Sequence, residues 1–384
     1  MTDYVATGGK KHLPGIHGLR AVAALLIVAV HVCVQNKPWL EVPPSLGASL
    51  SHMGLGVHLF FVISIFSLLH SYERATEHEG WIIAYGIRRV FRIAPLFYLI
   101  IFYNYLNNSS SLKDAIINIL FIFNFVPGMH YSAVAAGWTI GVEVPVYLML
   151  PFMILKFRTL VQVTLLTIIG GIISVTARLL LSHISVLGDY VYFALPSNIA
   201  VFGLGALAYH LVKVYSLNAF FRRAIVTGSI FSLIALTTIP SGYPLSAPRL
   251  DILLWSISFG LLCMWQAIRP SHVLSGRPIQ WIGERSYSIY LLHPLIVYQL
   301  WYSGIYATIY SVFHYIGAWA YLVCVSLTIS LVLPAAAVTY RFVEIPGQRL
   351  GALLIRVWVT RKKDAKQENP PIQTQKSLLS LRSG

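Results

Sequence analysis

The chain has 384 residues, of which 57% are hydrophobic and 11% charged, and its mean hydropathy is +0.71. A water-soluble domain carries roughly 25% charged residues, so the composition excludes a soluble globular enzyme and makes lipid the main solvent. The formal net charge of +15 fits lysine and arginine gathered in cytoplasmic loops better than a nucleic-acid surface, and no nucleic-acid partner is expected.

A bilayer core of ~30 Å takes ~20 helical residues. Apolar runs of that length recur at 16–34, 54–72, 90–106, 138–156, 161–180, 192–212, 223–240, 250–268, 285–303 and 316–341. Residues 1–13 are polar and read as a disordered cytoplasmic N-terminus. The first apolar run has no small-residue cleavage pattern after it and reads as an anchor rather than a cleaved signal. The run Ala115–Val126 has only 12 residues, too few to cross, and suits a re-entrant or interfacial segment. The expected fold class is therefore all-α: a polytopic integral membrane protein with about ten transmembrane helices plus one short segment that does not cross. Residues 14–350 form one membrane domain in this reading, and 351–384 a basic, largely disordered cytoplasmic tail.

The distribution of cations tests the topology. With both termini cytoplasmic, 24 of the 28 lysines and arginines fall inside, and Lys37, Lys113, Arg178 and Arg249 fall outside. This satisfies the positive-inside rule. If Ala115–Val126 crossed, every later loop would invert and the bias would largely vanish. Cys33, Cys263 and Cys324 lie in apolar runs without a shared spacing, so neither a disulfide nor a metal site is expected.

The first helix, GIHGLRAVAALLIVAVHV, carries two ionisable residues that lipid alone does not tolerate. Arg20 and His31 are eleven positions apart, which brings them within roughly 20° of one helix face and ~16 Å apart along the axis. Arg20 sits near the cytoplasmic mouth and His31 beyond the bilayer middle, which favours a functional role over packing alone. Arg88, Arg89 and Arg92 precede the third helix; arginine forks suit phosphate, although ordinary anchoring explains them as well. Trp138 opens the fourth helix at an interface, and Glu143 lies ~7 Å deeper on helical rise, at a depth expected to approach His31. The segment SYSIYLLHP places Tyr287, Tyr290 and Pro294 on one stripe with His293 beside it, open to a cavity-lining role or a structural kink. Glu344 ends the tenth helix next to Arg341, where a local ion pair is the simple reading. No P-loop, dinucleotide fingerprint, HExxH or G-x-S-x-G occurs.

In order and position, these segments resemble acyltransferase family 3, membrane O-acyltransferases that modify glycans, lipids and secondary metabolites. Arg20 and His31 match the family's arginine and histidine separated by ten residues. Arg89, Arg92 and Pro95 match its arginine–x–x–arginine stretch, and Trp138 with Glu143 its tryptophan–serine–leucine…glutamate segment. SYSIYLLHP and Glu344…Pro346 are also similar to family segments. The chain departs from the pattern at His17, where an aspartate is usual, at Ile63–Phe66, which lacks the family's glycine, and at Thr139, where serine is frequent.

The resemblance implies an O-acyltransferase, O-acetyl transfer first, with acetyl-CoA or another acyl-CoA as donor and no metal. Arg88, Arg89 and Arg92 would hold the donor's anionic nucleotide, and its arm would pass Arg20 to reach His31 as general base or acyl acceptor. Glu143, ahead of Glu344, would orient His31, while Trp138, Tyr290 and His293 would line the approach of a carbohydrate or glycolipid acceptor. The implied setting is the bacterial plasma (inner) membrane, multi-pass, in contact with membrane lipid. Two alternatives remain open at this point: a proton-coupled transporter of a glycan or lipid precursor, and a non-catalytic scaffold.

Overall fold

The computed structural model describes residues 13–35, 37–72, 74–77, 79–107, 109–126, 128–184, 188–237 and 248–368. The N-terminal tail expected over 1–13 therefore lies outside the described residues except for Leu13, as do residues 369–384. Among the described residues every regular element is helical. In chain order these are α1 (Pro14–Val34), α2 (Pro44–Met53), α3 (Gly56–Tyr72), α4 (Trp81–Leu106), α5 (Leu112–Ile119), α6 (Trp138–Lys156), α7 (Leu160–Ser182) and α8 (Leu195–Tyr215). There follow α9 (Ala219–Thr237), α10 (Asp251–Ile268), α11 (Arg277–Glu284), α12 (Ser286–Tyr302), α13 (Ile305–Val312), α14 (Ala320–Thr339) and α15 (Ile345–Glu368).

Seven helical stretches are long and apolar enough to cross a membrane: α1, α6, α7, α9, α10 and the stretches containing α8 and α14. The other three positions expected from sequence are also helical. Of these, α3 is apolar but has 17 residues, α12 has 17, and α4 carries three arginines in its first half. The chain is an all-α polytopic membrane protein.

Contacts fix the relative sense of the helices. Phe97 of α4 lies against Gly137 at the start of α6, while the Tyr85 hydroxyl donates to the Tyr147 carbonyl at 3.0 Å. So α4 and α6 run antiparallel, which requires that the chain between them does not cross. Its 12 apolar residues instead form α5, a turn and the 3-10 stretch Phe123–Phe125. Buried asparagines hold this segment in place. Asn118 Oδ1 accepts from the Ser132 hydroxyl and the Ala133 amide, and Asn124 bonds the Phe193 carbonyl and the Leu195 amide.

The same logic orients the rest. Phe61 stacks on Phe202 and Phe66 meets Tyr209, so α3 and α8 run parallel. Arg20 bonds Ser286, His31 meets His293 and Gln35 bonds the Pro294 carbonyl, so α1 and α12 run parallel. These senses are those of a ten-helix alternation. One end of the bundle thus collects Arg20, Arg88, Arg89 and Arg92, and His31 lies toward the other.

Two boundaries differ from expectation. Helix α4 begins at Trp81 rather than near 90, and α15 continues through Glu368 where a largely disordered tail was expected from 351. Each supports the other, because they run antiparallel in close approach. A Cβ added at Gly347 would lie 2.7 Å from Pro95 Cγ, and one at Gly351 2.8 Å from Phe91 Cβ. Gly80, with φ +79°, lies against the Trp358 ring, a backbone conformation that glycine adopts without strain.

Candidate active site

Polar residues inside the bundle fall into two connected groups along α1. The first surrounds Arg20, whose Nε donates to the Ser286 hydroxyl at 3.1 Å. Its charged neighbours are Arg92, Arg89 and Glu143, with the Tyr147 hydroxyl close by. Arg92 in turn neighbours Glu344. Glu344 is 1% exposed and accepts from the Ser288 hydroxyl through Oε1, leaving Oε2 without a partner. It is presented by a π-helical stretch, Tyr340–Glu344; such bulges re-aim side chains and recur at functional sites. Three guanidinium groups therefore face two carboxylates. Arg89 Nε is buried without a hydrogen bond. Together these leave donors and positive charge for an anionic ligand.

Arg88 is placed differently. Its Nε donates to the Tyr72 hydroxyl at 2.6 Å, and its guanidinium lies 5.0 Å from the Tyr72 ring centroid. The structure thus brings Arg89 and Arg92 near Arg20, while both Arg88 and Arg89 bond Tyr72 of α3.

The second group surrounds His31. Its Nδ1–H donates to the Ile27 carbonyl at 2.8 Å; a carbonyl only accepts, so in the neutral ring Nε2 carries the lone pair. Deep as it is, His31 keeps accessible surface. Its ring centroid is 4.9 Å from that of His293, edge to face. His293 is fully buried, its Nδ1 lies 3.3 Å from the Ile289 carbonyl, and its Nε2 has no partner. Pro294 cannot donate to the Tyr290 carbonyl one turn earlier, which leaves that oxygen beside the His293 ring as well. The Tyr290 ring is 5.8 Å from His293, and its hydroxyl donates to the Ala136 carbonyl at 2.9 Å. So His31, His293 and Tyr290 form one chain of rings.

Two placements overturn the depth argument made from sequence. Glu143 does not reach His31: its charged neighbours are Arg20, Arg89 and Arg92, with Tyr147, Tyr287 and Tyr290 also near. Trp138 is not at an open interface; it is 8% exposed and enclosed by Phe61, Tyr192 and Phe193. Both have one cause. The non-crossing segment folds over the start of α6, with Phe123 against Gly141, so Trp138 begins inside the bundle and Glu143 is displaced toward the arginines. The neighbour of His31, a place that depth gave to Glu143, is instead His293.

Sequence reading missed the hydroxyl groups that order the arginine cluster. Tyr147 OH and Ser64 Oγ are 2.5 Å apart; Tyr287, which the sequence did single out, donates its hydroxyl to the Ile93 carbonyl at 2.7 Å. Hydroxyls carry no charge signal in an apolar run, so composition does not flag them. It also passed over a second buried polar cluster, although a lone arginine and a lone histidine in apolar runs were signals for it. There, fully buried Arg178 donates to the Ser197 carbonyl at 3.0 Å and to Asn198 Oδ1 at 3.4 Å, close to buried His58. Among the described residues no group of three metal-ligating side chains occurs.

Comparison with known proteins bears on this geometry. The O-acetyltransferase OatA of Staphylococcus aureus strain NCTC 8325 / PS 47 is 26% identical over 379 residues, covering 89% of this chain and 58% of the relative. OatA of strain MRSA252 matches to the same extent, and a protein of strain COL bearing a provisional O-acetyltransferase name is 24% identical over 384 residues with the same coverage. The chain thus spans less than two thirds of these relatives' length. No solved structure matches. A family model described as an acyltransferase domain matches residues 13–335, nearly the whole described bundle. The chain belongs to acyltransferase family 3.

Proposed function

We propose that this protein is a membrane O-acyltransferase that moves an acyl group, acetyl foremost, from cytoplasmic acyl-CoA to a hydroxyl of a carbohydrate or glycolipid acceptor. The observation that carries this reading is His31: a deep, partly accessible histidine whose Nδ1 is tied to the Ile27 carbonyl, on the same helix as Arg20, which joins an arginine cluster one long cofactor arm away. The relatives named O-acetyltransferases support the acyl group chosen.

In this reading Arg20, Arg89 and Arg92 hold the phosphates of the donor, and the thioester reaches His31. The acceptor hydroxyl gives its proton to His31 Nε2 as its oxygen attacks the thioester carbonyl. The new C–O bond forms, the C–S bond breaks, and the departing thiolate takes the proton back from the imidazolium. The products are an ester and free CoA thiol, and His31 ends neutral. His293, edge to face with His31, keeps that ring in place. Glu143 and Glu344 offset part of the arginine charge and so space the three guanidinium groups. The protein would sit in a bacterial plasma (inner) membrane with both termini cytoplasmic.

Incorporation of labelled acetyl from acetyl-CoA into surface glycan, measured on membranes, tests the reading. His31→Ala should abolish incorporation at unchanged protein level. Full incorporation by that variant would remove His31 from the chemistry, and substrate movement driven by pH without any need for acyl-CoA would favour transport.

A further inference from the structure

A cavity of about 600 Å³ opens between α9 and α10, away from both groups just described. Its lining includes Arg222, Arg223 and Arg269 together with Ile225, Trp265 and Ile268. All three arginines are exposed, and none has a side-chain hydrogen bond or ion pair among the described residues. Their protein counter-charge is also missing in sequence: from residue 190 to 283 the only acidic residue is Asp251, which starts α10 at the opposite end from Arg269. The arginines stand at the same end of the bundle as Arg88, because α8, which leads into α9, runs parallel to α3.

What lies next to the cavity is equally one-sided. Only 17% of the apolar window of α9 is buried, and Phe231 and Ile234 on it are 72% and 64% exposed. Leu254 and Ile257 of α10 are exposed too. A cationic mouth therefore opens onto two lipid-facing helices, with an indole at the level where tryptophan prefers the membrane interface. A free anion would use the arginines but not this apolar extension.

We propose that the α9–α10 groove is a binding site for an anionic glycerophospholipid, with the phosphate on Arg222, Arg223 and Arg269 and the acyl chains along α9. Guanidinium forks suit phosphate oxygens, and basic pockets between transmembrane helices take acidic headgroups. The site is independent of the acyl-transfer reading, since it uses none of the residues assigned to donor or acceptor.

The test titrates the purified full-length protein with phosphatidylglycerol or phosphatidylcholine in mixed micelles, and separately with inorganic phosphate, reading bound lipid by native mass spectrometry and stability by thermal unfolding. Phosphatidylglycerol is expected to bind and stabilise, with phosphatidylcholine and phosphate doing neither at equal concentration. Near-surface cations contribute about fivefold each, so R222Q/R223Q/R269Q should weaken phosphatidylglycerol binding by about a hundredfold. The Arg→Lys triple variant should retain most of it. Should the glutamine triple variant not fold, each single Arg→Gln variant reads the same effect at about fivefold. Unchanged binding in the singles or the triple, equal binding of phosphatidylcholine, or equal stabilisation by phosphate alone would overturn the proposal.

Discussion

His31 and the arginines make different demands on one helix, and single substitutions should separate them. A group that takes a proton in the transition state supplies about 10²–10⁴-fold in rate. His31→Ala is therefore expected to lower kcat for acyl transfer by at least about a hundredfold, with little change in donor KM. The arginines proposed to hold the donor's phosphates should do the reverse. Arg89→Ala and Arg92→Ala each remove charge-assisted hydrogen bonds worth about 1.5–3 kcal/mol, which raises acyl-CoA KM by roughly ten- to a hundredfold. Arg88→Ala serves as the internal comparison. Its guanidinium is engaged by Tyr72, whereas Arg89, although it also bonds Tyr72, neighbours Arg20 and Glu143, so the donor KM of the Arg88 variant should move much less. Steady-state kinetics with varied acetyl-CoA on the three variants checks both statements. Unchanged acyl-CoA KM in the Arg89 and Arg92 variants would return the whole run to plain anchoring.

Among the elements, the prolines and glycines decide how close the helices come. Pro151 of α6 cannot donate to the Tyr147 carbonyl, and the Tyr85 hydroxyl of α4 takes up that oxygen at 3.0 Å. Pro294 does the same for the carbonyl beside His293. Kinks in this bundle therefore supply the acceptors that fix neighbouring side chains. The α4–α15 contact rests on absent side chains: at Gly347 an added Cβ would lie 2.7 Å from Pro95 Cγ. Gly347→Val must push these helices apart. The expected cost is about 1–3 kcal/mol from overpacking, read as a lower melting temperature in detergent. Because α4 carries Arg89 and Arg92, the same variant should also raise donor KM. A variant with parental stability would show that α15 is not docked on α4.

For the whole molecule the decisive question is which way each loop faces. With a non-crossing 112–126 segment, Lys37 and Lys113 lie on one side of the membrane and Lys213, Arg223 and Arg269 on the other. Single cysteines at these positions, in a background without Cys33, Cys263 and Cys324, should label with an impermeant reagent from opposite sides of sealed vesicles. Same-side labelling of Lys113→Cys and Lys213→Cys would overturn the ten-helix arrangement. Much of this molecule was legible in its residues. Length and apolarity of runs set the class and the helix positions, since a bilayer leaves the backbone few other choices, and the shortness of Ala115–Val126 ruled out an eleventh crossing. Isolated charges in an apolar helix marked Arg20 and His31, because lipid penalises them individually, whereas Glu344 read as a local ion pair with Arg341 and is found instead with Ser288 and Arg92. The partnerships were not legible. Helical rise gives depth along one helix, but depth between helices depends on where each begins, and the folded residues 112–126 and 128–137 set α6 inward. That shift took Glu143 to the arginines, closed Trp138 among aromatic rings and left His293 as the neighbour of His31. Sequence by itself determined what kind of groups the membrane interior must hold; only the tertiary structure decided which of them meet, because register between helices is fixed by packing and not by any helix alone.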